Sequence, residues 1–175
     1  MRVIAGEFRS RRLKSIPGLD TRPTPDRLRE TLFDILGPRV EGKIFLDAYA
    51  GTGAVGIEAL SRGAARAIFL ERGKGPAKVI AENLASLAIT GRALVINAAA
   101  LASLAQHRAD IVFLDPPYEK ENEYTAALGL LGENLPELAI VQHSVRFALA
   151  EKYGRLSRTR IVKQGDNALS FYAAR

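Results

Sequence analysis

The hydrophobic positions fall into short runs separated by polar, glycine-bearing stretches, and their period changes from run to run. In TRPTPDRLRETLFDILGP, Leu28, Leu32, Ile35 and Leu36 recur at helical spacing until Gly37-Pro38 ends the pattern. With Thr24 as the N-cap and Pro25 at the first helical position, the stretch predicts a helix over 25–36. Beyond it the pattern alternates. KIFLDAYA reads as a buried strand, AVGIEALSRG as a helix, RAIFLE as a strand and AKVIAENLASLA as an amphipathic helix. ALVIN, a short helix near 100–106, DIVFLD, a helix near 122–132 and ELAIVQ continue the series. Such alternation predicts right-handed βαβ units in a parallel sheet.

The two ends differ from the middle. In RLSRTRIVKQGDNALSFYAA, two alternating segments flank the turn-forming Gly165-Asp166-Asn167, so the sheet is expected to end in an antiparallel hairpin. Segments Arg2 to Ala5 and Arg11 to Ser15 around Gly6 predict an N-terminal β-hairpin. The expected architecture is α/β: a mostly parallel seven-stranded sheet with helices on both faces, preceded by that hairpin and helix. At 175 residues and 47% hydrophobic content the chain fits one domain over 1–175, with 1–20 a basic hairpin extension and 21–37 a helical segment. The extension reads as an appendage whose loss would spare the cofactor site.

Charge sharpens this division. Residues 1–30 hold eight basic side chains against four acidic, 31–150 eleven against thirteen, and 151–175 six against two. Basic ends around a slightly acidic middle suit a polyanionic partner such as RNA, since phosphate neutralisation by Arg and Lys supplies much of nucleic-acid affinity. With no cysteine and two isolated histidines, His107 and His143, neither a thiol nucleophile nor a metal site is expected. No segment offers about 18 uninterrupted apolar residues or a signal-peptide core, so no membrane association and a cytoplasmic location are expected.

Candidate chemistry begins at LDAYAGTGAVGIEAL, where Gly51-x-Gly53-x-x-Gly56 lies between a strand and a helix. Spacing alone fits either a dinucleotide or S-adenosylmethionine. Glu71 ends the next strand, placed to accept hydrogen bonds from ribose hydroxyls. Asp47, four residues before Gly51, breaks the tie. A carboxylate at the mouth of the loop repels a pyrophosphate and attracts a sulfonium or an α-amino group. S-adenosylmethionine is therefore the expected cofactor.

The run IVFLDPPYEKE ends the fourth strand in an acid, two prolines and an aromatic, at the same sheet edge as Asp47 and Glu71. An exocyclic amine on a nucleobase is a poor nucleophile because its lone pair is delocalised into the ring. The Asp115 carboxylate and the Pro116 carbonyl can each accept one of its N–H groups, with Pro117 stiffening the backbone and Tyr118 stacking on the base.

At these residues the sequence resembles the Rossmann-like class I S-adenosylmethionine-dependent N-methyltransferases with an (Asp/Asn)-Pro-Pro-aromatic motif. More narrowly, RVIAGEFRSRRL, TRPTPDRLRETLFDIL, LDAYAGTGAVGIEALSRGA and VFLDPPY resemble the RsmD family of bacterial 16S rRNA guanine-N2 methyltransferases. The resemblance implies methylation of the 2-amino group of one guanine in 16S rRNA of the small ribosomal subunit; a monomer is expected. It carries catalytic roles to Asp115, Pro116, Pro117 and Tyr118. Cofactor contacts fall to Asp47, Tyr49, Ala50, Gly51, Thr52, Gly53 and Glu71, with Ala99 near the adenine. Contacts to RNA, or to the cofactor carboxylate, fall to Arg9, Arg11, Arg12, Arg22, Thr24, Arg27 and Arg29. Other readings of the same residues are a DNA or RNA adenine-N6 methyltransferase, a nucleic-acid-binding module without catalysis, and an NAD-dependent oxidoreductase.

Overall fold

The computed structural model describes residues 1–17 and 24–175. Its elements follow in the order α1 (Asp26–Leu36), β1 (Ile44–Asp47), α2 (Ala54–Ser61), β2 (Arg66–Leu70), α3 (Lys74–Ser86), β3 (Ala93–Ile96), α4 (Ala100–Ser103), β4 (Ile111–Leu114), α5 (Glu121–Glu133), β5 (Leu138–Ser144), β6 (Lys152–Tyr153), β7 (Leu156–Gln164) and β8 (Asn167–Ala174). They build one sheet of order β3-β2-β1-β4-β5-β8-β7-β6. β1 to β5 run parallel, and β8, β7 and β6 close the sheet antiparallel. The seven expected strands are present, and the two-residue β6 adds an eighth at the edge.

The strands read as continuous apolar runs because both faces of the sheet are covered. Phe45, Phe69, Phe113 and Ile140 join one core with Leu28, Leu32 and Leu36 of α1. Leu46, Leu70, Leu114 and Val141 join the other with Tyr124, Leu128 and Leu131 of α5. Strand order reverses between β1 and β4, and a crevice outside the carboxyl ends is expected at such a switch point. Asp47 ends β1 and Asp115 follows β4, so the two candidate acids meet there.

Two expectations at the start of the chain need correction. The N-terminal hairpin is short: besides the antiparallel bridge from Arg2 to Arg12, the Val3, Ser10 and Leu13 N–H groups donate across it to the Arg11, Val3 and Met1 carbonyls at 3.0, 2.9 and 2.9 Å. Its remaining donors turn to α2, where the Ile4 and Ala5 N–H groups donate to the two Glu58 carboxylate oxygens at 2.8 and 3.0 Å, and the Phe8 N–H to Ser61 Oγ at 3.0 Å. Val3, Phe8 and Leu13 lie in the core, so the segment is packed into the body rather than appended to it. Gly6 makes the approach possible, since a Cβ there would sit 1.9 Å from the Ser61 carbonyl oxygen. The second correction concerns Thr24, which does not cap α1. Pro25 is the N-cap, with no side-chain bond.

Candidate active site

The Gly-rich turn connects β1 to α2, and each glycine has its own reason. Gly51 and Gly53 take φ of 56° and 83°, left-handed values that a side chain would strain. Gly56 lies inside α2, where a Cβ would come within 2.3 Å of the Phe69 ring on β2. The Gly56 N–H donates to Asp47 Oδ2 at 3.1 Å, fixing the buried acid beneath the turn. Glu71 spans the loop from the other side: its oxygens accept the Gly51 and Gly73 N–H groups, each at 2.8 Å. Each carboxylate oxygen keeps a further lone pair for a ribose hydroxyl. Gly56→Ala should cost about 1–3 kcal/mol, the scale of overpacking a filled core, and weaken cofactor affinity. Thermal unfolding checks this, and an unshifted midpoint would mean that Phe69 yields freely.

A cavity of about 900 Å³ joins this loop to the Asp-Pro-Pro-Tyr turn, and its walls include Gly51, Thr52, Glu71, Ala99, Asp115 and Tyr118. Asp47, Tyr49, Ala50, Pro116 and Pro117 also line it, while Gly53 shapes the turn from behind. Ala99 and Ala100 bring the end of β3 to the rim. There the Asn97 side-chain amide donates to the Glu71 and Arg72 carbonyls, at 2.9 and 3.0 Å, and ties that rim to the β2 edge.

The catalytic turn is braced on three sides. Thr24, freed from capping, donates its hydroxyl to the Asp115 carboxyl. The buried Tyr124 hydroxyl donates to the Pro116 carbonyl at 3.1 Å. The Tyr118 hydroxyl donates to Asn167 Oδ1 at the start of β8. Tyr124 and Asn167 escaped the sequence reading. Tyr124 has the period of a core residue on α5, and Asn167 has the look of a turn former. Tyr49 also uses its hydroxyl, donating to Glu123 Oε2 at 2.7 Å.

Burial raises the Asp115 pKa to about 8, with repulsion from Asp47 adding and the Thr24 hydrogen bond opposing. Burial likewise raises Asp47 to about 7, opposed by its bond from Gly56. Among the described residues no cation opposes either shift. In the unfolded chain these carboxyls ionise near 4. Between there and about pH 8 the unfolded chain gives up protons that the folded chain retains, so rising pH costs stability across that window. A bound cation would reverse the penalty. A buried Asp47 beneath the glycine turn and a half-buried Asp115 across the cavity, with no counter-ion among the described residues, fit S-adenosylmethionine with its sulfonium and ammonium.

The family described as Conserved hypothetical protein 95 matches residues 1–173. The chain belongs to this family, the RsmD family. A full-length relative, "Putative rRNA methyltransferase YlbH" of Bacillus subtilis, is 37% identical over 100% of both chains. "Ribosomal RNA small subunit methyltransferase D" of Escherichia coli is 44% identical over 69% of this chain and 61% of that one. Among solved structures, "Putative methyltransferase yhhF from Escherichia coli" superposes with a TM-score of 0.87 at 37% identity, covering 99% of this chain and 97% of that one.

In this RsmD-family chain the RNA-binding candidates separate. Arg9, Arg11, Arg12 and Arg27 are exposed, and Arg11 also donates to the Ser86 carbonyl at 3.0 Å. Thr24 lines the cavity and serves Asp115 rather than a phosphate. Arg22 lies outside the described residues. Arg29 requires a correction, because it is fully buried and cannot reach RNA from its place. Its Nη2 donates to the Arg2 carbonyl at 2.6 Å and Asp26 Oδ1 at 3.0 Å, and its Nε lies 4.0 Å from Glu58 Oε2. His143 is structural as well: Nδ1–H donates to the Ser144 carbonyl at 2.9 Å, and Nε2 accepts from the Ser170 hydroxyl at 2.8 Å. Burial lowers its pKa and keeps the ring neutral.

Asn83 links the N-terminal segment to the cofactor loop, a role its helical setting concealed. Its Oδ1 accepts the Lys14 N–H at 2.7 Å, while Nδ2 donates to the Lys14 and Thr52 carbonyls at 3.2 and 3.1 Å. Met1 reaches the cavity wall. Removing the basic segment would therefore disturb the cofactor loop, contrary to the expectation for an appendage.

Proposed function

We propose that this chain transfers the methyl group of S-adenosylmethionine to the 2-amino group of a guanine in 16S rRNA of the small ribosomal subunit. The observation that carries the reading is the shared cavity: a carboxyl and a carbonyl, both braced, open into the same space as the glycine turn and Glu71. The names of the relatives, which specify rRNA and the small subunit, supply the acceptor. We take the enzyme to act as a cytoplasmic monomer that needs no metal. No helix among the described residues is long and apolar enough to cross a membrane.

Glu71 and the backbone of the Gly51–Gly53 turn would hold the cofactor's ribose and amino-acid portion, with Ala99 beside the adenine and Asp47 facing positive charge. When bound, the cofactor supplies an electrophilic methyl carbon and a leaving group that departs uncharged. The protein needs no acid to assist it. Asp115, once ionised, accepts one N–H of the guanine amine. The Pro116 carbonyl accepts the other, because Tyr124 occupies only one of its two lone pairs. Holding both N–H groups directs the nitrogen lone pair at the methyl carbon, and positioning of this kind is a large share of catalysis. The proton lost by the amine has Asp115 within reach. Exposed Arg9, Arg11, Arg12 and Arg27, and Arg22 of the same basic stretch, would neutralise RNA phosphates.

Mass analysis of 16S rRNA from cells lacking the gene tests the assignment. One N2-methylguanosine should vanish and return when the gene is restored. Unchanged 16S rRNA, or a missing N6-methyladenosine instead, would refute it.

A further inference from the structure

Gln142 lies on β5 next to the catalytic turn, and the proposed chemistry leaves it without a task. Its side chain lines the cavity, the residue is only 3% exposed, and its Oε1 has no hydrogen-bond partner among the described residues. Buried acceptors are nearly always satisfied, by protein, water or ligand. An orphan of this kind facing a cavity calls for an occupant.

The sheet register says what that occupant is near. β4 and β5 are parallel with Leu114 opposite Val141, so the next rung sets Asp115 opposite Gln142. In a parallel pair such neighbours project from the same face. On the other side Gln142 is opposite Leu169 of β8, and two residues along the same face of that strand is Asn167, which holds the Tyr118 hydroxyl. Glu71 and the glycine turn belong to β2 and β1, in the opposite direction across the sheet from β4. Gln142 thus borders the acceptor side of Asp115 rather than the cofactor side.

A primary amide offers one acceptor and one donor in a single plane. Beside its 2-amino group, guanine presents N1–H and then O6, a donor followed by an acceptor. We propose that Gln142 reads this edge of the target base: Oε1 accepts N1–H and Nε2 donates to O6, while Asp115 and Pro116 hold the neighbouring amine. The inference rests on the guanine-N2 reading above. Adenine placed with its amine in the clamp offers only the N1 lone pair to this amide, which can meet it by turning over but leaves Oε1 unpaired. Guanine satisfies both amide atoms. Gln142 is then the residue that selects the base, and the Asp-Pro-Pro-Tyr turn the part that activates its amine.

The test uses small subunits reconstituted with 16S rRNA carrying either guanine or 2-aminopurine at the position mapped by the mass comparison. 2-Aminopurine keeps the amine but lacks both N1–H and O6. The wild-type enzyme should prefer guanine by about 10- to 100-fold in kcat/KM, the discrimination expected of a bidentate pair. Gln142→Leu, close in volume, should lose a similar factor on guanine, change little on 2-aminopurine, and keep its affinity for S-adenosylhomocysteine. An equal loss on both bases, or none on either, would overturn the role. Equal wild-type rates on the two bases would also overturn it, with no variant needed. A wild-type enzyme that left guanine unmethylated but modified adenine would instead bring down the reading of the function itself.

Discussion

Asp115→Ala should slow methyl transfer by at least about 100-fold, the scale of losing a positioned acid–base group, while affinity for S-adenosylhomocysteine stays nearly unchanged. The separation follows from place. Asp115 belongs to the turn after β4, whereas the glycine turn and Glu71 stand on β1 and β2, with their own hydrogen bonds. The same residue sets the pH profile. With its pKa raised to about 8 by burial and by Asp47, Asp115 is largely protonated at neutral pH before cofactor binds. A protonated carboxyl is a poorer acceptor for the amine N–H, so kcat/KM should rise with pH and level off once the group ionises. A cationic cofactor favours the ionised form, which draws the midpoint below about 8 when the cofactor is saturating. Asp115→Asn keeps the shape and one acceptor oxygen, and should abolish this limb while retaining more activity than alanine. Single-turnover rates between pH 6 and 9 decide the matter. A variant with near-normal transfer, or a limb that survives in Asp115→Asn, would remove the carboxylate from the mechanism.

The features that were readable in advance are those written in consecutive residues. Strands buried on both faces, such as Phe45–Leu46 and Val112–Leu114, must be apolar throughout, and the glycine turn and Asp-Pro-Pro-Tyr sit where those strands stop. What escaped is written across distance. Arg29 in DRLRETL has the look of a surface charge, and Glu58 in AVGIEALS that of a solvated helix residue, yet both are fully buried. Nothing in helical periodicity signals a pair formed between two helices. Tyr118 with Asn167, and Asp115 with Gln142, likewise depend on strand order, which brings β4, β5 and β8 side by side. The N-terminal hairpin is shorter than its pattern for a related reason. Its arms pair around Arg2 and Arg12, but the Ile4, Ala5 and Phe8 N–H groups go to Glu58 and Ser61 on α2. β6, only two residues long, carries too little pattern to be seen.

Glu58→Ala should be the most destabilising single substitution outside the hydrophobic core, at about 3–5 kcal/mol, the cost of stranding one partner of a buried ion pair. Glu58 accepts from Ile4 N–H, Ala5 N–H and Arg62 Nε, and faces the buried Arg29 guanidinium. Burial already lowers the Arg29 pKa, with Glu58 the foremost group opposing that shift. Without Glu58 the guanidinium keeps, among the described residues, Asp26 and the Arg2 carbonyl, and two backbone donors of the N-terminal segment lose their acceptor. Against a typical domain stability of about 5–15 kcal/mol, this is about a fifth or more of the total. Denaturant unfolding measures it, and a change below about 1 kcal/mol would mean that the pair is incidental. Pairing the change with Arg29→Met separates charge from packing. If the penalty is mainly an uncompensated buried cation, Glu58→Ala/Arg29→Met should be more stable than Glu58→Ala alone. If it is mainly the lost anchor of residues 4 and 5, the double variant should recover nothing. In both cases the freed segment carries Met1 away from the cavity wall and loosens the Asn83 bridge to Thr52, so cofactor affinity should fall together with stability.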